Sequence, residues 1–166
     1  MAVILVRHTT PRVAPGTCYG RTDLALADSF DAEAAAVAAA LAGEGGGGPI
    51  LSSPLSRCRR LADRLGPFEI CEAFVEMDFG RWEGQPWDAI PRAELDAWAA
   101  DFLGARPHGG ESVAELRDRV AAGLDGLAPG TVVVTHAGVI KAAAAVTGHP
   151  DGWEIRPRFG EVLRLQ

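Results

Sequence analysis

Two short stretches of unbroken apolar residues each run into a histidine. Val3-Ile4-Leu5-Val6 meets Arg7-His8, and Val132-Val133-Val134-Thr135 meets His136. Four mostly β-branched residues without polar alternation read as a strand buried on both faces. In a parallel sheet covered by helices, ligands bind beyond the carboxyl ends of the strands. The pattern therefore predicts that His8 and His136, from opposite ends of the chain, share one site.

Between these strands the pattern alternates. Pro11 to Asp23 holds two prolines and two glycines and reads as an irregular loop leaving the first strand end. Asp28 or Ser29 is expected to cap an alanine-rich helix from Phe30 to Ala42, stopped by Gly43. Gly45 to Gly48 reads as a flexible turn. No Gly-Lys-Ser/Thr follows it, so it is not a P-loop. Pro49 to Pro54 predicts a short strand, with Ser53 as the cap and Pro54 as the first residue of a second helix.

A strand around Phe68 to Cys71 leads into a shaped, non-periodic loop from Phe74 to Gly84. Pro86 to Ile90 and Pro91 to Leu103 read as helices whose Trp87, Leu95, Trp98 and Phe102 serve core or lid packing. Ser112 with Glu115 fits a capping box for a helix running to about Leu127. Another helix is expected from Gly138 to Thr147, closed by Gly148. Phe159 to Leu165 alternates like an edge strand. Strands alternating with helices give an α/β fold, a three-layer sandwich with a mostly parallel central sheet and helices on both faces.

Length and composition narrow this further. The 166 residues suit a single domain spanning 1–166, and a hydrophobic content of 48% supports one sizeable core. A net charge of −6 argues against nucleic acid or an anionic membrane as partner, so an anion site must be a local gathering of arginine. The apolar runs are too short to span a bilayer. Cys18, Cys58 and Cys71 follow no paired spacing, and no signal peptide precedes them. They read as reduced thiols in a cytoplasmic protein. No zinc spacing occurs among the cysteines and histidines.

The candidate chemistry gathers Arg7, His8, Arg57, Glu76 and His136. Arginine is uncommon in a helix first turn, so Arg57 invites a separate explanation, such as an anion held nearby. Two arginines suit a phosphoryl group, whose oxygens pair with the guanidinium fork. A neutral imidazole is a competent nucleophile toward phosphorus, and nearby arginines help keep His8 neutral. A second histidine, protonated or donating, stabilises charge on the transferred oxygens. The leaving alkoxide needs a proton, for which Glu76, Asp78 and Glu83 are rivals that the residues alone do not separate. Arginines would hold Glu76 ionised, and a bound phosphate dianion would push its pKa back up. His108-Gly109-Gly110 has the look of an esterase oxyanion loop, but no Gly-x-Ser-x-Gly elbow accompanies it.

Five motifs in order resemble the histidine phosphatase (phosphoglycerate mutase-like) superfamily. They are Leu5-Val6-Arg7-His8, Ser53-Pro54-Leu55-Ser56-Arg57, Glu76 to Gly84, Gly109-Gly110-Glu111-Ser112 and Thr135-His136-Ala137-Gly138. The resemblance implies a metal-independent phosphatase without organic cofactor, acting on a small-molecule phosphomonoester. It implies His8 as the phosphorylated nucleophile and Glu76 as the acid. Arg7, Arg57, His136 and Ala137 would form the phosphate pocket. The family usually has glycine after the nucleophilic histidine, where this chain has Thr9. A positive φ there would strain threonine.

The loop Pro15 to Leu26 resembles the α-ribazole phosphatase branch, which removes the 5′-phosphate of α-ribazole phosphate in cobalamin biosynthesis. Tyr19, Arg21 and Trp82 are the expected substrate contacts, with Trp87 also available to pack against a benzimidazole-type base. The alternatives are a broad small-phosphoester phosphatase and a non-catalytic phosphate-binding protein. A phosphoglycerate mutase is disfavoured because few extra basic residues lie near the motifs. The oligomeric state is left open, a homodimer included.

Overall fold

The computed structural model describes residues 2–45 and 47–166. Gly46, in the turn expected at Gly45 to Gly48, lies outside the described residues. Five strands form one sheet: β1 (Val3–Arg7), β2 (Ile50–Ser52), β3 (Glu69–Ile70), β4 (Val132–Thr135) and β5 (Val162–Leu165). Their order is β3-β2-β4-β1-β5. All neighbouring pairs are parallel except β1 with β5, so the last strand is an antiparallel edge, as its alternation predicts.

The helices are α1 (Phe30–Gly43), α2 (Ser56–Leu65), α3 (Arg92–Ala100), α4 (Val113–Leu124) and α5 (Ala137–Val146). Strand side chains alternate between the two faces. Ile4, Val6, Val132 and Val134 pack against Val37 and Leu41 of α1 and Leu61 of α2. Leu5 and Val133 point the other way, to Leu116 and Val120 of α4 and Val139 and Ile140 of α5. This is the expected sandwich. A smaller third core joins Cys18, Trp82 and Ile90 to Trp87, Leu95 and Trp98.

Several element boundaries differ from the sequence expectation, each for a local reason. The second helix begins at Ser56, with Leu55 rather than Ser53 at the cap position. Ser53 instead extends the sheet, its N–H donating to the Val134 carbonyl at 2.9 Å. Asp23 serves the helix from a distance: its Oδ1 accepts from the Ser56 N–H at 2.9 Å and from its hydroxyl at 2.6 Å. The anion near this helix start is therefore a side chain of the preceding loop. Burial works to raise the Asp23 pKa, but these bonds outweigh it and hold the group low.

At α1, Ser29 occupies the cap position, yet its hydroxyl donates to the Glu33 carboxylate instead of capping the backbone. The region expected as a helix from Pro86 to Ile90 is a 3₁₀ turn over Trp87–Ala89. Two further 3₁₀ turns, Glu72–Phe74 and Gly80–Trp82, break up the loop between β3 and α3. The helix α4 stops at Leu124, and α5 starts one residue early, capped by His136.

The capping box at α4 is complete. The Ser112 hydroxyl accepts from the Glu115 N–H at 3.1 Å, and the Glu115 carboxylate accepts from the Ser112 N–H at 2.9 Å. Ser112→Ala removes one of these bonds, for an expected loss of about 1 kcal/mol. Urea titration of the two proteins checks this, and an unchanged midpoint would show that the cap contributes nothing.

Candidate active site

The site follows from the pairing of β1 with β4. Arg7 stands opposite Thr135, and the His8 N–H donates to the Thr135 carbonyl at 3.0 Å. The next residue of each strand is a histidine, and the two rings meet edge to face with centroids 5.2 Å apart. Both rings are buried. The shared site predicted from the two strand ends is present.

A cavity of about 580 Å³ opens in front of His8. Of the sequence-predicted residues, Arg7, His8, Tyr19, Glu76 and Ala137 line it. Ala137 and Gly138 bring the N-terminus of α5 to its wall, where free N–H groups and the helix dipole favour an anion. Arg57, Arg21, His136 and Trp82 do not line it.

His8 is oriented by the backbone. Its Nδ1 lies 2.7 Å from the Thr9 carbonyl. A carbonyl only accepts, so Nδ1 carries the hydrogen and Nε2 keeps its lone pair. Burial, then the charges of Arg57 and Arg7, hold the His8 pKa well below its ordinary value, against the Thr9 bond. The ring is neutral at pH 7. Thr9 has no positive φ, nor does any non-glycine residue among those described, so threonine fits here without strain.

His136 stands behind His8. Its Nε2 is 2.7 Å from the Ser53 hydroxyl and 3.4 Å from the Cys58 sulfur. Burial, then the neighbouring His8 and Arg57, keep it well below its ordinary pKa. A neutral donor or acceptor thus replaces the protonated imidazole admitted by the sequence. Cys58 is an inert neighbour, its thiol pushed far up by burial. Cys18, close to His8 in sequence, is likewise buried and raised to about 12.

The arginines divide. Arg7 reaches the cavity, stacked 4.0 Å over the Phe159 ring, with Nη1 donating to the Pro157 carbonyl at 2.7 Å. Its Nε is buried without a partner. Arg57 is fully buried behind the cavity. Its guanidinium donates to the Thr22 carbonyl at 2.7 Å and the Gly20 carbonyl at 2.5 Å, leaving Nε unpaired. Arg57 thus anchors the loop after β1 while its charge acts on His8.

Among the three rival carboxylates, only Glu76 faces the cavity. Its Oε1 accepts from the Met77 N–H at 2.8 Å and its Oε2 from the Gly138 N–H at 3.0 Å. Burial raises its pKa even against those bonds and the nearby arginines. The shift therefore runs opposite to the one expected from the arginines, because desolvation is the larger effect. Glu83 is spent on structure, accepting from the Gly20, Arg21, Thr22 and Phe79 N–H groups. Asp78 accepts from the Gly80 N–H.

Two expected substrate contacts are corrected. Trp82 is 1% exposed and packs into the third core against Trp98 and His108. Arg21 braces the site from behind, donating to the Glu76 carbonyl at 3.2 Å and the Glu111 carboxylate at 3.3 Å. Trp87, also named as a contact for the base, does line the cavity, together with Phe79, Trp98, Phe102 and Trp153. Lys141 also lines it and was not singled out from the sequence. As the sole charged residue of α5, one turn beyond Ala137, it carried a readable signal.

The chain matches the model of the histidine phosphatase superfamily (branch 1) over residues 3–157. A search of curated proteins finds no match. Among solved structures, TTHB049 from Thermus thermophilus superposes with a TM-score of 0.82 at 31% identity, covering 100% of this chain and 93% of that one. A phosphoglycerate mutase from the same organism gives 0.82 at 32% identity, with the same 100% and 93%. A mycobacterial hydrolase shares the fold, with a TM-score of 0.84 at 22% identity over 98% of this chain and 87% of that one.

The buried imidazoles make stability pH-dependent. His8, His136 and His108 all have lowered pKa values when folded, so below about pH 6.5 the unfolded chain binds protons that the folded one refuses. Their stabilising contribution is complete above pH 6.5 and is lost as pH falls. Glu76 opposes them with its raised pKa, since the folded chain keeps that proton as pH rises past the ordinary carboxylate range. Three groups outweigh one. Unfolding free energy should decline between pH 6.5 and 5, by up to about 1.4 kcal/mol per pH unit for each net proton. Denaturant titrations at stepped pH measure this, and a flat profile would contradict the neutral imidazoles.

Proposed function

The chain belongs to the histidine phosphatase superfamily, and from that premise we propose that it is a metal-independent phosphomonoesterase acting on α-ribazole 5′-phosphate through a phosphohistidine. Membership by itself carries phosphatase or mutase-type chemistry; the hydrolytic reaction and the substrate are the proposal. The observation that carries it is His8, a buried neutral imidazole whose Nδ1–H is fixed on the Thr9 carbonyl, at the wall of a cavity shared with Arg7 and Glu76.

The reaction runs in two displacements. The phosphate sits before His8, its oxygens met by Arg7 and by the Ala137 N–H at the start of α5, the Gly138 N–H being held by Glu76. The unpaired Nε of Arg7 is a donor left for it, while Arg57 acts from behind the cavity through its charge. The His8 Nε2 lone pair attacks phosphorus as the P–O bond to the alcohol breaks. Glu76, whose burial favours the protonated form, gives its proton to the departing oxygen. Water then attacks the phosphoryl group, Glu76 takes the water's proton, and the P–N bond breaks to release phosphate and neutral His8. His136 buttresses the His8 imidazole from behind throughout.

The substrate reading rests on the loop from Pro15 to Leu26 and on the cavity wall. That loop contributes Gly16, Thr17 and Tyr19 to the lining. Trp87 and Trp98 lie parallel, with ring centroids 6.3 Å apart and planes within 11°. Flat apolar walls suit an aromatic base. A broad small-phosphoester phosphatase is the second reading, since apolar walls impose few directional demands. The non-catalytic reading loses its motive with the unstrained backbone at Thr9.

Phosphate release from α-ribazole 5′-phosphate and 3-phosphoglycerate, side by side in EDTA, tests the assignment. Preferred, EDTA-insensitive turnover of the first, abolished in His8→Ala, is the expected result. Comparable turnover of many phosphoesters would remove the substrate assignment and leave the mechanism standing. Glu76→Gln should slow turnover by about 10²–10⁴-fold. Gly138→Ala should be impaired as well, because a Cβ at this position runs into the Glu76 carboxylate. Circular dichroism separates this from misfolding, and full activity in a folded Gly138→Ala protein would place the proton donor elsewhere.

A further inference from the structure

Glu83 rivals Glu76 for the proton on sequence grounds, yet its carboxylate is fully engaged elsewhere. Its Oε1 accepts from the Gly20 N–H at 3.1 Å, the Thr22 N–H at 2.8 Å and the Thr22 hydroxyl at 2.6 Å. Its Oε2 accepts from the Arg21 and Phe79 N–H groups, each at 3.2 Å. Successive amides of the loop after β1 thus converge on one carboxylate, a backbone arrangement that suits an anion. Burial works to raise the Glu83 pKa, but the Thr22, Gly20 and Arg21 bonds outweigh it and hold the group low.

The other side of the same loop faces Arg57. The Gly20 carbonyl accepts from its Nη2 at 2.5 Å and the Thr22 carbonyl from its Nη1 at 2.7 Å. The peptide unit between Gly20 and Arg21 is therefore held at both ends, its C=O by a guanidinium and its N–H by a carboxylate. A trans peptide points these groups in opposite directions, so the backbone runs between the two charges. Each charged partner polarises the unit toward the other and strengthens both bonds. A Cβ at Gly20 would stand 1.9 Å from the Met77 carbonyl oxygen, so the loop also lies hard against the segment that carries Glu76. Next to the gripped unit is Tyr19, which lines the main cavity with Gly16 and Thr17.

We propose that Glu83 is a positioning residue: with Arg57 it clamps the Gly20–Arg21 peptide and so fixes Gly16 to Tyr19 as the wall against which the carrier of the phosphate packs. The proposal rests on the phosphatase reading for the reaction this wall serves, while the placement of the wall is measurable without turnover. Glutamine keeps the volume of Glu83 but offers one acceptor oxygen where both oxygens receive at least two donors, so Glu83→Gln is the selective change.

Tyr19 is the only tyrosine of the chain, so labelling with 3-fluorotyrosine gives a single fluorine resonance that reports on this wall. In Glu83→Gln the resonance should narrow and move toward that of free 3-fluorotyrosine, with circular dichroism unchanged. On p-nitrophenyl phosphate, KM should rise about tenfold while kcat stays within about threefold. Calorimetric affinity for inorganic phosphate, which fills only the His8 end, should stay within about twofold. Thr22→Val, which removes only the hydroxyl bond, should give smaller changes in the same directions and serves if Glu83→Gln does not fold. Tyr19→Ala should raise KM by itself and add nothing further in the Glu83→Gln background. An unmoved resonance in the folded variants, a loss in kcat with KM unchanged, a phosphate affinity that collapses, or full additivity with Tyr19→Ala overturns the clamp. If the wild-type protein neither binds phosphate nor hydrolyses the ester, the phosphatase reading falls and the resonance alone decides the clamp.

Discussion

The parallel register between β1 and β4 is the constraint on which the rest of the site depends. Arg7 opposite Thr135 leaves His8 and His136 as the next residues of adjacent strands. Their rings then have little choice but to meet. A slip of one residue would turn Leu5 and Val133 from the α4–α5 face toward α1 and α2 and disrupt both cores. The hydrophobic cores therefore fix the separation of two polar rings that neither core contains. Glu76 is tied to the same frame by the Gly138 N–H, and through Gly138 to the start of α5.

Burial, more than neighbouring charge, sets the protonation of this site. His8 and His136 are kept neutral by desolvation first and by the arginines second. Desolvation also raises the Glu76 pKa, against the pull of its backbone hydrogen bonds and the arginines. Both shifts serve one chemistry: a free imidazole lone pair beside a carboxylic acid. Arg57 shows how a cation can be kept among such groups without quenching them. Its guanidinium is satisfied by two carbonyls of the loop after β1, so it contributes field to His8 while consuming no carboxylate.

Much of this was legible in the sequence, and the remainder has identifiable causes. The buried strands, the edge strand and the capping box at Ser112 depend on local pattern, and they stand where the pattern puts them. Ser53 was misread because its sequence setting, serine before proline, is a cap signal, while its partner His136 lies 83 residues away. Trp82 was misread for a related reason. A tryptophan in a polar, glycine-bounded loop looks available to ligand, but the third core that buries it is completed by Cys18, distant in the chain. The choice among Glu76, Asp78 and Glu83 turned on which carboxylate the 3₁₀ turns left facing the cavity, and no spacing encodes that.

The same distinction explains the division of labour in the cavity. The residues proposed to handle the phosphoryl group sit on strand ends and helix starts, where packing of the main cores holds them rigidly. Much of the remaining wall comes from the loop after β1, the third core, α3 and the segment before β5, with Met77, Val113 and Leu116 of the main core at its floor. Rigid elements hold reacting groups at fixed distances, while looser ones can vary in composition without disturbing the register of β1 and β4. On the proposed reading, the phosphate end of the cavity is fixed by the sheet, and the choice of what carries the phosphate is left to Tyr19 and the tryptophans. A family held together by its strand-end histidines can in this way diversify its substrates one loop at a time.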